Sequence, residues 1–122
     1  MRVSLVIILI LLSTCLSAQE GYKIDFKIKG LKDTTIYLGY NLAYYLKEQT
    51  YIKDTTIVDK NGIFTFKGNT SLSQGVYFLV LDKISVFQFV IGSDQHFLME
   101  TSADNYVENM VVKGDEDNRL FF

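Results

Sequence analysis

An Asn-Gly pair set between two β-rich runs constrains this chain more than any other feature. It lies in Val58-Asp59-Lys60-Asn61-Gly62-Ile63-Phe64-Thr65-Phe66-Lys67-Gly68. Asn and Gly both tolerate positive φ, which a type I′ hairpin turn demands of its two central residues. Asp59 and Lys60 add polar turn character. The run after the turn alternates, with Phe64 and Phe66 on one face and Thr65 and Lys67 on the other. That period of two is the pattern of a half-buried strand.

The same period opens the chain after its first twenty residues. Tyr22, Ile24, Phe26 and Ile28 face one way, and Lys23, Asp25, Lys27 and Lys29 the other. Lysines along a strand also discourage edge-to-edge pairing. Thr34 to Tyr40 and Thr50 to Val58 are rich in β-branched and aromatic residues and read as strands. Asn41 to Gln49 fits a helix, a strand or an aromatic loop equally well. Val76 to Leu81 and Val86 to Ile91 are the most apolar stretches after residue 20, and neither alternates well, so both faces of each are expected to be covered. Asp82-Lys83 between them marks a second hairpin. His96 to Thr101 and Val107 to Lys113 complete the strands, with Gly92-Ser93-Asp94 and Ala103-Asp104-Asn105 as turns. About eight short strands at such spacing predict an all-β fold, an antiparallel β-sandwich or a small open barrel. Beyond Gly114 the pattern breaks. Asp115 is placed to N-cap a helix that includes Arg119, Leu120, Phe121 and Phe122. Apolar residues starting a helix with nothing to pack against are expected to lead toward a following domain. On that reading 19–114 is the sandwich and 115–122 the start of a linker or helix.

Met1 to Ala18 reads as a signal peptide, with Arg2 as its positive flank and Val3 to Leu12 as its apolar run. The run is too short to span a membrane, which takes about 20 apolar residues. Cleavage is expected after Ala18. A second reading takes Cys15 as a lipidation site, with Leu12-Ser13-Thr14 as half a lipobox. The chain is thus expected to be exported to the periplasm or cell envelope, touching a membrane only if lipid-anchored. Cys15 is the one cysteine of the 122 residues, so the exported part has no disulfide and no Cys-x-x-Cys pair, and stability must come from burial. With 48% hydrophobic and 14% aromatic residues, disorder is excluded. The formal net charge of −2 and the lack of a basic stripe argue against nucleic acid as a partner.

No motif for a nucleotide, a nucleophile elbow or a zinc helix is present. His96 is the single histidine and has no second ligand at metal spacing; it reads as a structural residue. Asp115-Glu116-Asp117-Asn118 lacks the alternating ligands of a calcium loop and reads as a solvated helix cap. Catalytic, cofactor-binding and metal-ligating residues are therefore assigned to none, and the chain by itself is not expected to be an enzyme. The best candidate surface is a run of tyrosines, Tyr37, Tyr40, Tyr44, Tyr45 and Tyr51. Exposed rings of this kind stack on sugars or anchor a partner. The plainer reading packs them across the sandwich with their hydroxyls wet.

Several of these segments, taken in order, resemble the N-terminal domain of unknown function that precedes the thioredoxin-like domain in Bacteroidota thiol-disulfide oxidoreductases. Phe26-Lys27-Ile28-Lys29-Gly30 is similar to its opening strand and Gly, and Ile36-Tyr37-Leu38 to its second strand. Val58-Asp59 through Gly62, Phe64, Phe66 and Gly68 resembles its hairpin core. Gly75-Val76-Tyr77 is similar to its next strand, with Gln74 where Pro is usual, and Val112-Lys113-Gly114 with Asp117-Asn118 and Phe121 resembles its closing motif. The resemblance implies a non-catalytic extracytoplasmic accessory module, for docking or positioning, whose partner is the thioredoxin-like domain of the full-length protein or another envelope protein. The alternative is a stand-alone secreted binding module for a glycan or protein, using the tyrosine surface.

Overall fold

The computed structural model describes residues 21–41 and 50–122. The segment read as a signal peptide, Cys15 within it, and Tyr44 and Tyr45 lie outside the described residues. The strands are β1 (Tyr22–Lys29), β2 (Thr34–Asn41), β3 (Thr50–Val58), β4 (Ile63–Gly68), β5 (Gly75–Leu81), β6 (Ile84–Ile91), β7 (His96–Ser102) and β8 (Val111–Lys113), followed by one short helix, α1 (Glu116–Phe121). They form two four-stranded sheets, ordered β4-β1-β7-β8 and β3-β2-β5-β6, open rather than closed into a barrel. The expected sandwich is therefore the architecture found. All pairings are antiparallel but one: β1 runs parallel to β7, Ile24 opposite Phe97 and Phe26 opposite Met99.

The alternation of β1 places Tyr22, Ile24, Phe26 and Ile28 in the core. Phe64 and Phe66 join them from β4, and Phe97 and Met99 from β7. Ile36, Leu38, Val58, Tyr77, Leu79, Phe87, Phe89 and Ile91 face them from the other sheet. Phe26 sits at the centre. Its ring stacks on Phe64 at 4.9 Å and meets Phe66 and Phe89 edge-on at 6.0 and 5.6 Å. Such a packed aromatic centre supplies burial that no disulfide supplements.

The type I′ geometry expected at Asn61-Gly62 is found at the other hairpin, Asp82-Lys83. Gly62 alone takes positive φ, at 78°, in the Asn61-Gly62 turn. Asp59 N–H donates to the Ile63 carbonyl at 3.1 Å, and Gly62 N–H to the Asp59 carbonyl at 3.3 Å. The loop is thus three residues long, closed by a glycine in the left-handed region, and not type I′. The cause is Asp59, whose carboxylate accepts from Asn61 N–H at 2.8 Å and Ile63 N–H at 2.9 Å. This side-chain bridge holds the turn before Gly62 and lets Asn61 keep negative φ. A side chain at Gly62 would meet the Ile28 carbonyl oxygen at 2.2 Å, so only glycine fits. The I′ signature falls instead at Asp82 and Lys83, with φ of 51° and 65°, between the paired residues Leu81 and Ile84. A lysine held there costs about 1 kcal/mol relative to glycine. Lys83→Gly is expected to raise stability by about 0.5–1 kcal/mol in urea denaturation; a loss of stability would count against the I′ geometry.

Val107 to Asn109 form a turn and not the start of the last strand, which shrinks to β8. Asn105 explains the difference. Its side-chain oxygen accepts from Glu108 N–H at 3.2 Å, and its backbone carbonyl accepts from Asn109 N–H at 3.2 Å. These local bonds compete with the sheet for the backbone.

Asp115 does N-cap α1, as expected, accepting from Asn118 N–H. The cap is not solvated. Asp115 and Asn118 are both buried, Asn118 completely. Asn118 Oδ1 accepts from Val90 N–H at 2.8 Å, and its Nδ2 donates to the Val90 carbonyl at 2.6 Å and to Asp115 Oδ2 at 2.5 Å. One amide side chain thereby pairs with the edge of β6 as a neighbouring strand would. Nor are all three apolar terminal residues exposed: Phe122 packs edge-on to Phe87 at 6.0 Å, while Leu120 and Phe121 stay in water. The other edges carry different protection. β8 is three residues long, β4 carries Lys67, and β3 is bulged. β6 is bulged too, Val86 and Phe87 lying opposite Leu79.

Candidate functional site

The bulge in β3 decides which tyrosines meet. Leu38 pairs with Asp54 and Gly39 with Ile52, so Lys53 is the extra residue. Without it, strand parity would put Tyr51 on the solvent side of the sheet and Ile52 toward the core. With it, Tyr51 lies across from Tyr40, and their rings stack 5.5 Å apart at 29°. Tyr77 on β5 joins them, 5.9 Å from Tyr40. Its hydroxyl donates to the Ser73 carbonyl at 2.6 Å, and burial with Tyr40 beside it pushes its pKa up. Tyr22 closes the group, donating to the Asp54 carboxylate at 2.7 Å. Burial first, and then that hydrogen bond and charge, raise the Tyr22 pKa well above the ordinary value.

Two of these tyrosines, Tyr40 and Tyr77, line a cleft of about 290 Å3 together with Lys53, Ser73 and Gln74. Its rim is held from below by Gln95. The Gln95 amide accepts from Leu72 N–H at 2.8 Å and donates to the Leu72 and Gly92 carbonyls at 2.9 and 3.0 Å. That ties the loop before β5 to the loop before β7. Sequence reading missed both Tyr77 and Gln95. Tyr77 carried a faint signal as an aromatic in the apolar run of β5; Gln95 carried none, because its partners are backbone groups distant in sequence. Chemically the cleft offers ring faces, a lysine and an amide. It suits a ligand with one apolar face and several hydroxyls.

Tyr37 does not belong to this group. Three residues before Tyr40, it stands on the opposite face of β2, where it lines a groove of about 360 Å3 with Ile52, Phe78, Val80, Lys83 and Ser85. Phe78 and Val80 are buried although they lie on the sheet's solvent side. Phe78 achieves this by lying across Gly39, where a Cβ would approach its ring to 2.8 Å. Ile52, Ile57 and Val76 extend the face and are exposed. The candidate surface therefore divides in two: Tyr40, with Tyr51 stacked on it, goes to the cleft, and Tyr37 to the groove on the opposite face.

His96 is on neither surface. It is half-buried at the start of β7, with Nε2 enclosed and without a hydrogen-bond partner. Among the described residues, no three His, Cys, Asp or Glu side chains gather to hold a metal.

A family model described as a domain of unknown function (DUF4369) matches residues 22–121, from the first residue of β1 to the last of α1. No curated protein and no solved structure matches the chain.

Proposed function

This chain belongs to that family of domains of unknown function, DUF4369, and from there we propose that it is an exported, non-catalytic docking module that seats a thioredoxin-like domain of the same polypeptide. One observation carries the reading: the two outer faces of the sandwich differ in kind. The outer face of β4-β1-β7-β8 bears Lys23, Asp25, Lys27, Lys29, Lys67, Glu100 and Lys113. Lys23 pairs with Asp25 at 4.0 Å and Lys113 with Glu100 at 3.6 Å. Ile63, Leu98 and Val111 stand among them, but charged side chains predominate and the face suits water. The outer face of β3-β2-β5-β6 presents Tyr37, Ile52, Ile57, Val76, Phe78 and Val80 around the groove, with Thr35, Thr55, Ser85 and Gln88 between. It carries no carboxylate in that set. Contiguous apolar surface with a polar surround is the signature of a seat for another folded surface. The ordered resemblance to the module that precedes thioredoxin-like domains supports such a domain as the occupant.

The test is the reading frame beyond the Phe122 codon in the intact gene. It is expected to continue into a thioredoxin-like region with a Cys-x-x-Cys pair. A stop codon directly after Phe122 overturns the fused arrangement. The cleft supports a second reading, a glycan module, because Tyr40, stacked on Tyr51, lines it together with Tyr77, Lys53 and Gln74. Saturable binding on a glycan array, abolished by Tyr40→Ala, would favour it over the docking reading.

A further inference from the structure

At the end of the sandwich away from the tyrosine cleft, the β1–β2 and β3–β4 turns lie side by side. Ile28 N–H donates to the Gly62 carbonyl at 2.9 Å, and Asp33 N–H to the Asp59 carbonyl at 3.3 Å. Lys27, Lys29, Lys32 and Lys60 surround a shallow depression of about 480 Å3 here, with Gly30, Leu31 and Asn61 between them. Four cations on so small a surface repel one another, and a fold that keeps them together ordinarily neutralises them with carboxylates. Here the neighbouring carboxylates are engaged elsewhere. Asp59 turns onto the amides of its own loop. Glu100, opposite Lys27 in the sheet, pairs with Lys113. Asp25 takes the Thr65 hydroxyl at 2.6 Å and lies near Lys23. Asp104, which feels the charge of Lys29, is bonded by Ser102. Asp33, next in the turn, makes no ion pair with any of the four lysines. Among the described residues, none of the four has a carboxylate within 4.0 Å. Among the described residues, the backbone N–H groups of Lys32 and Lys60 have no partner either.

We infer that this depression is an anion site for a phosphate group, carried by a lipid headgroup or free in solution. Several lysines lining one concavity, with unpaired backbone amides in the turns that form it, are the components of such sites. The site is independent of the docking face, which lies on the other sheet.

Nuclear magnetic resonance titration of the full chain with pyrophosphate tests the free anion. Co-sedimentation with phosphatidylcholine vesicles, with and without phosphatidylglycerol, tests the headgroup. Saturable shifts are expected at the amides of Gly30, Lys32, Lys60 and Asn61, or retention by the anionic vesicles alone; the arm that responds identifies the source. The double variant K32E/K60E should weaken binding by about tenfold or more. These side chains are exposed, so their replacement leaves the core intact, and circular dichroism checks that it does. Lys67→Glu makes half that charge change, in β4 and outside the depression, and should cost little. No saturable response in either arm overturns the site. So does an equal loss with Lys67→Glu, which would mean diffuse attraction without a site.

Discussion

Phe26→Ala should destabilise this domain by about 3–5 kcal/mol, the range for deleting a fully buried aromatic ring. The size follows from position. Phe26 is 1% exposed, and its ring bridges the sheets, stacked on Phe64 from its own sheet and edge-on to Phe89 from the other. Its neighbours cannot collapse into the space, because Phe64 and Phe66 are themselves locked edge to face at 5.8 Å. A domain of this size has about 5–15 kcal/mol in total, so the variant should be largely unfolded at modest urea. Denaturation followed by circular dichroism, with the residue 19–122 chain as reference, makes the comparison. A loss below about 1 kcal/mol would mean that the core is more plastic than its ring geometry implies.

Asn118→Ala is expected to cost about 2–3 kcal/mol, more than its place in a six-residue terminal helix would suggest. The substitution strands the Val90 N–H and carbonyl on the β6 edge and removes the Nδ2 donor to Asp115. Hydrogen exchange gives the sharper readout: the Val90 amide should lose protection while Phe26 keeps its own. Asn118→Asp should fare no better, since a carboxylate cannot donate to the Val90 carbonyl and would face Asp115. If either variant matches the parent within about 0.5 kcal/mol, the helix contributes nothing to the sheet edge.

Legibility from sequence followed the range of the interaction. β1 was readable to the residue because alternation is local and its four inward side chains share one fate. The Asp115 cap was readable for the same reason, as was the existence of the hairpin at Asn61-Gly62. Its turn type was not, because Asp59 reached forward to bind two amides and changed which residue had to bend. The burial of Asp115 and Asn118 was not readable either, since it depends on Val90, distant in sequence. The candidate surface failed as a unit by parity. Tyr37 and Tyr40 are an odd number apart, and the bulge at Lys53 inverted the faces of Tyr51 and Ile52. No propensity scale marks a bulge in advance. Yet that bulge turned Tyr51 onto Tyr40, which lines the cleft, and Ile52 into the groove, so both candidate sites depend on it.

The parallel pairing of β1 with β7 sets an order of events for a chain that emerges N-terminus first. β1 is an inner strand, flanked by β4 and β7 and not by β2, the next strand in sequence. Until Phe97 and Met99 are available, Ile24 and Phe26 have only half their sheet. The first strand made is therefore among the last secured. Contacts of such long sequence separation slow folding, because the loop must close before any reward is gained. The β2–β3 and β5–β6 hairpins, by contrast, pair within their own stretches of chain and need neither β1 nor β7 to form.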